Sequence, residues 1–135
     1  MTITANFNGV YFKEANLIRD KDNFIKANLI GANLEGADLE KTNLKGTNLR
    51  EANLEGVNLN DANLSEANLK RTNFRKANLK GIDLKEANLE KADLKGANLE
   101  GANLEGANLE EASLKGANFL RGLNLKNEVK GILLF

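Results

Sequence analysis

The sequence predicts an all-β solenoid in which every coil has four sides. Three features of a repeated unit lead to this prediction. A large apolar residue, the centre of the unit, recurs at every fifth position from Phe24 to Phe119. A small residue, most often Ala, lies two positions before nearly every centre, and Asn or Asp lies one position before it, with Ser113 as the exception. The two positions after the centre are mostly charged or Gly, so the unit is A-N-L-x-x.

A single helix or strand cannot bury these centres together. Five residues advance an α-helix by about 140° beyond a full turn, so the centres would spread around its whole surface. Side chains of a strand alternate with a period of two, so an odd spacing would place successive centres on opposite faces. The centres share one interior only if the backbone turns once per unit. Four right-angle corners then make a coil of about 20 residues, and coils stack about 4.8 Å apart.

The residue types fit such a coil. Its narrow interior has room for one large side chain per side and a small one beside the corner, which suits Leu and Ala at close packing. Asn and Asp form hydrogen bonds with nearby backbone and favour turns, as does Gly.

This dense A-N-L-x-x pattern, between Asn23 and Arg121, resembles the pentapeptide repeat proteins and is similar to their cyanobacterial members. The resemblance implies a right-handed quadrilateral β-helix with four faces. Some members of that family dimerise through a long terminal helix. The pattern here offers no such helix, so we expect a monomer rather than a dimer.

We expect residues 1–135 to form one domain. Earlier centres at Phe7, Phe12 and Leu17 bring the total to 24, or about six coils. The expected parts are an N-terminal coil with an insertion (1–23, the insertion at 18–22), the regular repeats (24–121), and a last partial coil with a C-terminal cap (122–135). The cap is expected to be short and either irregular or helical.

Composition excludes several kinds of site. The chain has 19 basic and 19 acidic residues and neither Cys nor His, so thiolate chemistry and the commonest general base and metal ligand are missing. We therefore expect no enzyme, no cofactor, no catalytic residue and no metal site. The N-terminus lacks the pattern of a signal peptide and no window is long enough to span a membrane, so we expect a soluble, cytoplasmic protein without a membrane partner.

A band of cations is the first candidate surface. It comprises Lys70, Arg71, Arg75, Lys76, Lys80 and Lys85. These side chains either form a docking surface or pair with acidic residues on neighbouring coils, such as Lys70 with Glu90 and Arg75 with Glu55. They spread around all four faces and aromatic side chains are scarce, so we expect no nucleic acid partner.

An apolar cluster near the N-terminus is the second candidate surface. Ile18, Ile25 and Ile30 follow directly after centres, where later units carry charged or polar residues, and Tyr11 stands at a usual Asn position. Either the insertion folds over these side chains or they form an exposed interaction patch.

Stacked carboxylates, such as Glu35 with Glu55, are the third candidate. They are either a metal or acid–base pair or, as we favour, a solvated surface. The sequence thus predicts a non-enzymatic structural or interaction module with an unidentified protein partner. The alternative is a DNA mimic that binds DNA gyrase, as some family members are, which zero net charge disfavours.

Overall fold

The computed structural model describes residues 9–10, 12 and 24–119. Within 24–119 every unit has one conformation: a turn over the two residues after the centre, then a single bridged residue before the next centre. Neither an α-helix nor a continuous strand occurs in this range. Two of every five residues lie in a turn, which leaves room for isolated β-bridges only.

The bridges establish the coil. All are parallel and join residues 20 positions apart, such as Asn28 with Asn48 and Asn33 with Asn53. Four consecutive units therefore make one coil, and the four bridged columns are its four faces. The predicted coil length is confirmed.

Backbone hydrogen bonds connect each coil to the next at both the bridges and the turns. The Leu29 amide donates to the Asn48 carbonyl (2.7 Å), and the Asn48 amide donates to the Ala27 carbonyl (2.9 Å). At the turn, the Gly31 amide donates to the Arg50 carbonyl (3.0 Å). The coils are thus held by main-chain bonds that any side chain permits, which leaves the outward residues free to vary.

Each corner is a β-turn that joins one unit to the next. The Ala32 amide donates to the Leu29 carbonyl (3.0 Å), and the second turn residue, Gly31, has φ of +64°. Positive φ at this position recurs from Lys26 to Gly116, whether the residue is Gly or charged. The side chain before the centre supports the corner, since Asn33 Oδ1 accepts from the Glu35 amide (3.0 Å).

The interior follows the predicted volume pattern. From Ala27 to Leu109 the centres and the residues two positions before them are buried, and Phe74 and Ile82 are enclosed completely. Buried threonines use the backbone: Thr47 Oγ1 donates to the Leu44 carbonyl (2.7 Å), and Thr72 Oγ1 donates to the Leu49 carbonyl (2.9 Å). In the described residues every buried side-chain N or O atom has a partner.

The coil that contains Gly9 and Phe12 is bonded to the next coil with a different residue spacing. The Phe12 amide donates to the Asn33 carbonyl (2.7 Å), and the Gly9 amide donates to the Ile30 carbonyl (2.9 Å). These pairs are 21 positions apart, whereas Leu29 and Asn48 are 19 apart. Two additional residues therefore separate this coil from the next. The expected insertion at 18–22 and the expected cap at 122–135 lie outside the described residues.

Candidate interaction surfaces

The turns place the variable side chains on four edges of the rod. The first turn residue of each unit lies beside the residue 20 positions later, because the bridges before them are in register. A charged residue on an edge is therefore adjacent to the residue at the same position four units later. The signs of these two residues determine whether neighbouring coils attract or repel each other at that edge.

Most of the cation band is paired with carboxylates. Lys70 Nζ lies 3.0 Å from Glu90 Oε2, and Lys85 Nζ lies 3.5 Å from Glu105 Oε1. Further pairs join Lys80 with Glu100 (3.7 Å), Arg71 with Glu51 (3.6 Å) and Arg75 with Asp93 (3.5 Å). These ion pairs link neighbouring coils. Because most cations of the band are already paired within the chain, fewer of them are available to bind a partner.

Arg75 differs from the expected pairing. Its Nη1 contacts Asp93 Oδ2, and in the part of the chain that the structure describes no ion pair joins it to Glu55. Glu55 Oε2 instead lies 3.5 Å from Asn73 Nδ2. A long Arg side chain reaches carboxylates beyond the one in its own column, so stacking alone does not select the partner.

The apolar cluster is described only in part. Ile25 is 39% exposed and Ile30 is half-buried, while Tyr11 and Ile18 lie outside the described residues. A small apolar cavity of about 10 Å³ lies near this end of the core, lined by Phe12, Phe24, Leu29, Leu34, Leu39 and Leu44. It is about the size of one water molecule and too small for an organic ligand.

Carboxylates stack as the repeat requires, with Glu35 and Glu55 on consecutive coils of one edge. Over residues 9–10, 12 and 24–119, no three Asp or Glu side chains come close enough to hold a metal ion. No helix in the same residues could cross a membrane.

One interaction was not predicted from the sequence: a ladder of Asn side chains between coils. Asn73 Nδ2 donates to Asn53 Oδ1 (3.0 Å), and Asn78 Nδ2 donates to Asn58 Oδ1 (3.2 Å). The amide oxygen serves the turn of its own coil while the amide nitrogen reaches the coil before it. Repetition of Asn every 20 residues is the signal that would have revealed this ladder.

Comparison with known proteins identifies the fold. The sequence pattern of the pentapeptide repeats matches residues 23–56, 52–90 and 87–127, with eight copies. No curated protein matches the chain significantly. Among solved structures, HetL, a pentapeptide repeat protein involved in heterocyst differentiation regulation from the cyanobacterium Nostoc sp. strain PCC 7120, is 34% identical with a TM-score of 0.71. The match covers 86% of this chain and 58% of HetL, so the chain spans less than two thirds of HetL.

Two other pentapeptide repeat proteins are similar to the chain. Rfr23 from the cyanobacterium Cyanothece 51142 is 34% identical over 93% of this chain and 88% of its own, with a TM-score of 0.47. A protein from the Arabidopsis thaliana thylakoid lumen is 30% identical over 64% of this chain and 57% of its own, with a TM-score of 0.49. Pentapeptide repeat proteins form right-handed quadrilateral β-helices, and the four bridged columns give this chain the four sides of such a coil. The resemblance is thus confirmed, and the chain belongs to the pentapeptide repeat family.

Proposed function

We propose that the protein is a non-enzymatic module that presents one end of a rigid rod to a protein partner. The observation that carries this proposal is the exposed side chain of Ile25 at a turn position. The residues stacked after it on the same edge are Lys45, Ser65, Lys85 and Glu105. A large apolar side chain in a column of polar ones gains nothing from water, so burial by a partner would stabilise a complex.

Ile30 extends this surface around the next corner. It occupies the first turn position one unit later, where Arg50 stands on the following coil. Ile25 and Ile30 thus flank one face at the N-terminal end of the regular repeats. We propose that both side chains, with Tyr11 and Ile18 beside them, form the docking patch. Coverage by the insertion at 18–22 is the competing explanation.

The remaining outward surface supports a binding role rather than a catalytic one. Its cations are largely tied to carboxylates of neighbouring coils, as Lys70 is to Glu90. The bridged columns form a four-sided rod, whereas small-molecule chemistry prefers a concave pocket. HetL is involved in the regulation of heterocyst differentiation, a kind of role that a binding surface can serve.

Affinity capture from an extract of the source organism tests the proposal. The wild-type chain should retain a partner, and Ile25→Lys combined with Ile30→Glu should lose it. The matched control is Lys45→Ala with Arg50→Ala, which alters the same two edges one coil later and should retain the partner. Reproducible failure of the wild type to retain any protein, or equal capture by the Ile variant, would overturn the proposal.

We further propose that residues 1–135 form one domain of about six coils, completed by 1–23 and 122–135, and that it acts in the cytoplasm. The scattering profile of the intact protein tests the length, since about six coils at 4.8 Å make a rod of roughly 29 Å before its end caps. Cell fractionation tests the compartment.

A further inference from the structure

One edge of the rod sorts its charges by sign. At the first turn position this edge, which we call the Glu35 edge, carries Glu35, Glu55, Arg75, Lys95 and Lys115 on successive coils. Acidic residues thus occupy one half and basic residues the other. An antiparallel copy of this edge, turned about the midpoint between Glu55 and Arg75, would therefore present a basic residue opposite each of Glu35 and Glu55.

The edge that carries Arg50, Lys70, Glu90 and Glu110 is also sorted by sign, with its basic residues first. The Lys70–Glu90 ion pair, at 3.0 Å, bridges the boundary between its basic and acidic halves. Of its second turn positions, Glu51 and Lys91 oppose the charge of the residue before them, whereas Arg71 and Glu111 repeat it.

On the Glu35 edge, no ion pair among the described residues joins Glu55 to Arg75 at the boundary between the acidic and basic halves. Glu55 approaches Asn73, and Arg75 approaches Asp93, rather than each other. Asp93 Oδ2 also lies 3.9 Å from Lys95 Nζ, so one carboxylate serves two cations. Arg75 and Lys95 are each more than 40% exposed on their side chains, at 44% and 43%, and can reach a second acceptor.

We propose that the Glu35 edge docks the same edge of a second copy of this chain in the antiparallel direction. A two-fold axis between the levels of Glu55 and Arg75 places Glu55 opposite the second copy's Arg75. The same axis places Glu35 opposite the second copy's Lys95. Symmetry repeats both pairs, so four ion pairs of unlike charge form and no like charges meet at the axis. Such an interface is isologous, the commonest kind in homodimers.

The shape of the edge permits this approach. Its second turn positions are Gly36, Gly56, Lys76, Gly96 and Gly116. A Cβ atom added to Gly56 would have no neighbour within 4 Å, so the surface beside it is open. In the proposed register the second copy's Lys76 lies over Gly56, the level where that space exists.

The dimer should be weak and sensitive to salt. Two narrow edges bury an area at the low end of specific interfaces, and exposed ion pairs contribute little each. The expectation of a monomer rested on the lack of a terminal helix, which contact between edges does not need. The proposal is independent of the Ile25 docking patch, which lies on another edge.

Sedimentation velocity tests the pairing at about 0.5 mM protein and low ionic strength, where the Debye length is roughly 20 Å. The wild type should dimerise. Glu35→Lys with Glu55→Lys makes the edge wholly basic, and Arg75→Glu with Lys95→Glu makes it mostly acidic, so each variant alone should associate at least about tenfold more weakly. An equimolar mixture of the two variants should associate again. Lys80→Glu with Glu100→Lys, a swap on another edge, should leave the dimer unchanged.

Disulfide cross-linking tests the direction, because the chain has no cysteine of its own. A mixture of Glu55→Cys and Arg75→Cys chains should form the mixed disulfide in preference to either homodimer. A monomeric wild type, association that both charge-reversed variants retain, or preferential Glu55→Cys homodimers would each overturn the proposal. Circular dichroism of every variant establishes that the rod is folded before association is compared.

Discussion

Lys70 Nζ lies 3.0 Å from Glu90 Oε2, and the two residues hold the same turn position on consecutive coils. The backbone fixes this proximity, because Asn68 and Asn88 before them form a parallel bridge. The two side chains therefore need little rearrangement to form the ion pair. The pair therefore measures how much an edge contributes to the cohesion of the rod.

Reversal of Glu90 should weaken the rod modestly. Glu90→Lys places two cations on adjacent coils and should lower the free energy of unfolding by about 0.5–1 kcal/mol. Lys70→Glu combined with Glu90→Lys should restore most of the loss. Urea denaturation in low salt measures both changes, and the difference should shrink in 1 M NaCl, where the Debye length is about 3 Å. Equal loss in the single and the double variant would contradict ion pairing.

Neighbouring inward and outward residues should respond very differently to lysine. Leu64 is buried completely, so Leu64→Lys buries a charge without a partner and should unfold or split the rod. Glu66 points to solvent and contacts Lys45 at 3.2 Å, so Glu66→Lys should change stability by less than about 1 kcal/mol.

Leu64→Ala provides the graded control for this pair. Removal of a buried Leu side chain typically lowers stability by about 2–5 kcal/mol and leaves the chain able to fold. Circular dichroism melts of the three variants should rank Glu66→Lys above Leu64→Ala and Leu64→Lys last. Similar melting of Leu64→Lys and Glu66→Lys would show that the inward and outward assignment is wrong.

The sequence predicts the fold through its period because one constraint acts on every unit. A residue such as Leu64 must reach a shared interior, and only a backbone that turns once per unit satisfies all centres together. The pairing of Lys70 with Glu90 follows from the same period, since residues 20 positions apart are neighbours. Sequence reasoning left that pairing open beside a docking role.

Side-chain choices beyond the column could not be predicted in this way. Arg75 has Glu55 on its own edge, yet it contacts Asp93 from the adjacent column. The period fixes where the Cα atoms stand, whereas a flexible guanidinium selects among several carboxylates at similar distances. The docking patch around Ile25 is a separate case. Tyr11 and Ile18 lie outside the described residues, so their exposure stays a prediction.

The protein should not affect DNA gyrase. A DNA mimic needs a strongly acidic surface, whereas this chain has zero net charge and carries cations such as Lys80 and Lys85 on its edges. A supercoiling assay with micromolar protein should show the same rate as gyrase alone. Inhibition or protection at that concentration would support the alternative function and weigh against the interaction module proposed above.

The turns offer a route to a more stable rod. Glu86 has φ of +58°, a conformation that costs most L-residues about 1–2 kcal/mol and costs Gly little. Glu86→Gly should therefore raise the free energy of unfolding by about 0.5–1 kcal/mol, the remainder being offset by the greater freedom of Gly in the unfolded chain. Thermal and urea denaturation measure the gain. A loss of stability would show that the greater freedom of Gly in the unfolded chain outweighs the relief of strain at this turn.

Gly81 provides the reverse test. Its φ is +65°, and a Cβ atom there would collide with Asp61 Oδ1 on the preceding coil. Gly31, with φ of +64°, has nothing within 4 Å of the same position. Gly31→Ala should thus lower the free energy of unfolding by only the cost of the left-handed backbone, about 1 kcal/mol, whereas Gly81→Ala should lower it by more. If Asp61 causes the excess, Asp61→Ala in the Gly81→Ala background should remove it, because the shorter side chain leaves room for the new methyl group.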